Sequence, residues 1–109
     1  MSTVKIYQFS SNLLVNTLEQ VDTLIAAIKE ESPAGGAVIS MENVVRIDSS
    51  GLGSIFRMQN ELKKAGVKYA FSNINSQPIH LFQISMLDSV LSLFDSNESA
   101  IEHLTSQKD

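Results

Sequence analysis

Apolar residues recur along this chain with two spacings, and the changes between them mark where elements should begin and end. Val4, Ile6 and Gln8 alternate with Lys5, Tyr7 and Phe9, which suits a strand. Ser10-Ser11-Asn12 reads as a turn, and Leu13-Leu14-Val15 as a short second strand. Asn16 or Thr17 is then placed to cap a helix, with Gln20 three residues after Thr17 in capping-box spacing. That helix gathers Leu18, Val21, Leu24, Ile25 and Ile28 on one face, opposite Glu19, Asp22 and Lys29. Ser32-Pro33-Ala34-Gly35-Gly36 ends it. Ala37 to Met41 is apolar almost throughout, the pattern of a strand covered on both faces.

Val44-Val45-Arg46-Ile47 leads into Asp48-Ser49-Ser50-Gly51-Leu52-Gly53, and a second helix is expected through about Ala65. Its buried face should carry Leu52, Ile55, Phe56, Met58 or Gln59, and Leu62. Lys63-Lys64 and Gly66 form its stop. Val67 to Phe71 is a further strand, Asn75-Ser76-Gln77-Pro78 opens a third helix, and Val90 to Phe94 allows a last short strand. Asp95 to Glu98 caps a final helix that buries Ala100, Ile101 and Leu104. Strands alternating with helices imply an α/β fold and a mainly parallel sheet.

Composition narrows the chemistry. A chain of 109 residues fits one domain. It has no cysteine, which removes disulfides, thiolate metal sites and a cysteine nucleophile. A net charge of −4 and the lack of tryptophan argue against nucleic acid as a partner. Lys63, Lys64 and Lys68 form the densest basic cluster and fit a helix C-terminus, where cations complement exposed carbonyls. The N-terminus lacks the pattern of a secretory signal, and no stretch is long and apolar enough for a membrane span. A cytoplasmic location is the expectation.

Asp48 to Gly53 is the informative segment, because a strand-like run there gives way to a helix. The first amides of a helix lack intrahelical partners and carry partial positive charge, which favours an oxygen acceptor or an anion. A serine in that place can cap the helix with its hydroxyl, or can be phosphorylated and hold the phosphate against those amides. Gly51 and Gly53 flank Leu52 and would let a partner's backbone approach closely. Each costs about 1 kcal/mol of helix propensity relative to alanine.

Val44-Val45-Arg46-Ile47-Asp48-Ser49-Ser50-Gly51-Leu52-Gly53 resembles the central motif of STAS domains, especially the bacterial anti-sigma factor antagonists. The resemblance extends over most of the chain, so residues 1–109 are expected to form a single STAS domain. It implies a mixed sheet of about four or five strands flanked by three or four helices. It also implies that Ser50 is phosphorylated by a serine kinase of the GHKL ATPase type that doubles as the anti-sigma factor, and is reset by a PP2C-type phosphatase. The expected partner-binding residues are Asp48, Ser49, Ser50, Gly51, Gly53, Ser54 and Arg57, with no cofactor. Two positions depart from the family pattern: Asn16, and Ser40 in Ser40-Met41-Glu42, stand where acidic residues are common.

An enzyme is the first rival. Gly-x-Ser-x-Gly is absent, since Asp48 stands two residues before Ser50, and no P-loop lysine follows Gly53. His80 and His103 are the only histidines, and both read as surface residues rather than members of a triad or metal site. No catalytic or metal-binding residue is therefore assigned. The second rival is a constitutive STAS subunit of a stress-sensing or lipid-transport complex, with no phosphate switch. Met41, Met58 and Met86 are expected as core filler. Leu81 to Leu87 should form a wide apolar surface, most of it covering the sheet.

Overall fold

The structure, a computed structural model, describes residues 3–106. Four strands, β1 (Val4–Gln8), β2 (Gly36–Ser40), β3 (Tyr69–Ser72) and β4 (Leu93–Phe94), lie side by side in chain order and pair in parallel. Ile6 stands opposite Val38, Val38 opposite Ala70, and Phe71 opposite Leu93. Between them run α1 (Glu19–Glu31), α2 (Ser49–Lys64) and α3 (Ser76–Ile84), with a 3-10 turn at Leu87–Ser89 and α4 (Asn97–Ser106) at the end. Four strands and four helices match the expected count, and the sheet is parallel throughout the described residues.

All five residues of β2 are buried, as its apolar run required. Alternation along it divides the core. Ala37 and Ile39 join Val21, Ile25 and Ile28 of α1, Ile55, Met58 and Leu62 of α2, and Phe82 of α3 in one cluster. Val38 joins Ala70, Ala100 and Leu104, so α4 alone covers the opposite face. Fully burying each such aliphatic side chain contributes about 1.5–3 kcal/mol.

Three local expectations change. Leu13-Leu14-Val15 forms no strand; Leu13 makes an isolated parallel bridge to Ile47, and the chain then turns, with the Thr17 amide donating to the Leu14 carbonyl at 2.8 Å. The expected capping box at α1 is absent as well. Leu18 flanks the helix with no side-chain cap, because Thr17 Oγ1 accepts from the Leu14 amide at 3.0 Å and donates to the Asn12 carbonyl at 2.7 Å. Gln20 instead grips the preceding turn: its Oε1 accepts from the Ser10 amide at 2.9 Å and its Nε2 donates to the Asn12 carbonyl at 2.9 Å. Finally, Phe56 is 41% exposed and Met86 73% exposed, so neither belongs to the core.

Candidate functional site

The segment after β2 is held in place by side-chain amides. Asn12 Oδ1 accepts from the amides of Val45 (2.8 Å) and Arg46 (3.0 Å). Asn75 Nδ2 donates to the carbonyls of Glu42 (3.0 Å) and Val44 (2.9 Å). Gln77 clamps Ile47 from α3, accepting from its amide at 2.9 Å and donating to its carbonyl at 3.1 Å. These bonds satisfy backbone groups that no strand pairing reaches. The sequence reading missed all three roles; the only available signal was an Asn or Gln beside each expected element end.

Asp48 follows in extended backbone and caps α2. Its Oδ1 accepts from the Gly51 amide at 2.9 Å, and its Oδ2 accepts from the Val15 amide at 2.9 Å. Its own amide donates to the Leu13 carbonyl at 3.2 Å. The Gly51 amide, more than any other contact, holds the Asp48 carboxyl below the usual carboxylate range, with the Val15 and Ser50 amides adding to it. Asp48 is therefore the cap, and of the two roles open to a serine there, capping falls to the aspartate instead. Among the described residues, neither the Ser49 nor the Ser50 hydroxyl makes a hydrogen bond; Ser49 is exposed and Ser50 half-buried.

The two glycines differ. A Cβ on Gly51 would lie 2.2 Å from the Leu13 carbonyl oxygen and 2.7 Å from Ile47 Cγ1, so the helix start presses directly on the Leu13 bridge. A Cβ on Gly53 would meet nothing within 4 Å. Gly51 and Ser54, expected in a docking surface, are buried and pack inside the fold. Ser49, Gly53 and Arg57 face outward, and Arg57 is ion-paired with Asp22 of α1 at 2.5 Å. Such an exposed pair contributes at most about 1 kcal/mol.

Beside the serines runs an open groove of about 350 Å³, lined by Ser49, Leu52, Gly53 and Phe56 of α2, and by Ser85 and Leu87. The chain around those last two residues exposes Ile84 and Met86, and Met86 adopts a left-handed backbone with φ 64°. A second groove, of about 330 Å³, opens between the end of β1 and α1, where Gln20 is already occupied by the Ser10–Asn12 turn.

Other candidate positions lie elsewhere. Asn16 is exposed, whereas Ser40 is buried, its hydroxyl accepting from Asn73 Nδ2 at 3.0 Å. His80 is exposed; His103 is half-buried, its ring 4.8 Å from that of Phe94, and so is not the solvated residue expected. Among the described residues no cluster of His, Asp or Glu is arranged to hold a metal, and no helix is long and apolar enough to cross a membrane.

A parallel sheet with three helices on one face, and a serine pair opening the helix after its second strand, defines an α/β domain with an exposed hydroxyl site. The chain belongs to the STAS domain family, whose model matches residues 2–100. Solved structures carry the same fold. A sulfate transporter family protein from Wolinella succinogenes is 17% identical, with a TM-score of 0.77 over 93% of this chain and 84% of that one. An anti-sigma-factor antagonist (STAS) domain protein from Planctomyces limnophilus is 19% identical, with a TM-score of 0.77 over 93% of this chain and 90% of its own. The Bacillus cell fate determinant SpoIIAA in its phosphorylated form is 20% identical, with a TM-score of 0.63 over 91% and 88% of the two chains. Curated protein sequences give no significant match.

Proposed function

We propose that this chain is a phosphorylation-gated protein-binding switch of the anti-sigma factor antagonist kind, working in the cytoplasm of a bacterium, with Ser50 as the residue modified. The observation that carries the reading is the Ser50 hydroxyl: Asp48 performs the capping, so Ser50 is left half-exposed and without a hydrogen-bond partner among the described residues. A partner docking at Ser49, Ser50, Gly53 and Arg57 would meet that neutral hydroxyl directly. Phosphate would add about −1.5 to −2 charges two residues from an ionised Asp48. A ten-fold loss of affinity needs only about 1.4 kcal/mol, well within the reach of such a change. The partners are a serine kinase of the GHKL ATPase type that doubles as the anti-sigma factor, and a PP2C-type phosphatase that resets Ser50. The chain is their substrate and ligand, and itself catalyses nothing.

The test is a paired capture with the native chain and Ser50→Glu as baits. Retention of an ATPase-type serine kinase by the native bait, reduced about ten-fold or more for Ser50→Glu, is expected. Equal retention by both baits would sink the gate. It would favour the second reading, a constitutive STAS subunit, to which the fold likeness to a sulfate transporter family protein and the non-acidic Asn16 and Ser40 lend support.

A further inference from the structure

Asp48 joins the start of α2 to the turn before α1, just beyond the point where the Leu13 bridge to Ile47 and the Asp48 amide's bond to the Leu13 carbonyl end. One oxygen holds the first turn of α2 through Gly51, and the other holds Val15 in the turn before α1. That contact is the only hydrogen bond the Val15 amide makes among the described residues. The turn's own bonds, from the Leu14 amide to Thr17 Oγ1 and from the Thr17 amide to the Leu14 carbonyl, pass Val15 by. Val15 is 71% exposed and Asn16 is exposed, so packing does not fix this stretch. Asp48 has no cationic partner among the described residues, and the amides around it keep it ionised near neutral pH.

We infer that phosphate on Ser50 breaks the tie between Asp48 and Val15, so that modification acts on the exposed Val15–Asn16 stretch as well as on the serine itself. The inference rests on the reading of Ser50 as the modified residue. The Cα atoms of residues two apart lie within about 7 Å and both side chains are short, so the phosphate and carboxylate stay at a separation comparable with the screening length of about 10 Å at 0.1 M salt, and repel. Asp48 can relieve that repulsion by turning its side chain. The contact it gives up is the one to Val15, because the bond to Gly51 closes the helix's own first turn, where the partial positive charge of the unpaired amides also holds a carboxylate. The Val15 backbone then loses the one hydrogen bond that holds its amide, and a partner that reads this turn together with the serines finds neither as before.

The experiment installs phosphoserine at position 50 during protein synthesis and follows amide hydrogen exchange by NMR. Exchange at Val15 is expected to run about ten-fold faster than in the unmodified chain, while Ile39 in β2 keeps its rate. In Asp48→Ser, whose shorter side chain can cap Gly51 without reaching Val15, the amide should already exchange fast, and phosphate should add nothing further. An unchanged Val15 rate in the phosphorylated native chain overturns the inference. So does an equal phosphate effect in Asp48→Ser, or an acceleration shared by Ile39. No kinase is needed for this measurement. A kinase that ignores Ser50 would therefore sink the proposed function separately, and the Val15 rate alone decides the coupling.

Discussion

The inward and outward faces of the first two turns of α2 obey different rules. On the inward side every residue answers to the fold: Gly51 lies against Leu13 and Ile47, Asp48 caps the helix, and Ser54 and Ile55 are buried. On the outward side nothing in the chain requires what is there. Gly53 has open space where a side chain would sit, Ser49 is exposed, and Phe56 leaves 41% of its surface in solvent. A helix start chosen for stability alone would place alanine at Gly53 and a polar residue at Phe56. Within one six-residue motif, then, packing explains one glycine and leaves the other unexplained.

The contrast breaks most readily at Gly51. A Cβ there would collide with the Leu13 carbonyl oxygen, which already accepts from the Asp48 amide and lies in the bridge to Ile47. The nearest of the atoms it would meet is backbone, and the Leu13 and Ile47 side chains beside it are buried and have no room to swing away. Gly51→Ala should lose about 3 kcal/mol, at the upper end of overpacking costs, read from urea unfolding at constant slope. A loss below about 1 kcal/mol would mean that α2 shifts outward freely and that the inward face is not the rigid one.

Asp48 gives the next effect. Asp48→Ala removes the cap of α2 and the hold on Val15 together, and should lower the melting temperature by about 5 °C at pH 7. The pH dependence has a definite sign. Because the folded carboxyl sits below its ordinary value, near 3.9, its contribution is complete above that value and fades as pH falls through the lowered one. Melting curves of native and Asp48→Ala should therefore differ fully at pH 7 and converge below about pH 4. A gap that stays constant down that range would show that the carboxylate charge is irrelevant to the cap.

Much of this arrangement was legible beforehand, and the rest fails for identifiable reasons. β2 was plain because Ala37-Val38-Ile39 can be covered only from both sides, and the core stripes of α1 and α2 followed from helical spacing. Phe56 was misplaced because the buried stripe of α2 runs through Ile55, Met58, Gln59 and Leu62, and the next position along from Ile55 turns away from it. Thr17 and Gln20 have the spacing of a capping box, but the same side chains can serve the turn before the helix, and here they do. Asn12, Asn75 and Gln77 bond to backbone about thirty residues away, which local pattern cannot reveal. Serine and aspartate are equally good caps by residue type. Only the geometry gives the task to Asp48 and frees Ser50.

Gly53 offers the smallest effect and the sharpest use of the contrast. Alanine there meets no atom within 4 Å, and Gly53 is not among the glycines with positive φ. Helix propensity alone should then act, raising stability by about 1 kcal/mol at most, seen as a small gain in melting temperature. The added methyl points toward solvent beside Ser49 and the groove of Leu52, Phe56 and Leu87. A partner seated closely on that surface would have to retreat from it, so the stabilised variant should retain less of the kinase in the capture assay. Gly53→Ala would thus be better folded and a poorer binder, a combination that loss of structure cannot produce. A stabilised chain that retains the kinase as well as the native one would show that the partner does not descend onto Gly53, and would leave its absent side chain as unexplained outside the fold as within it.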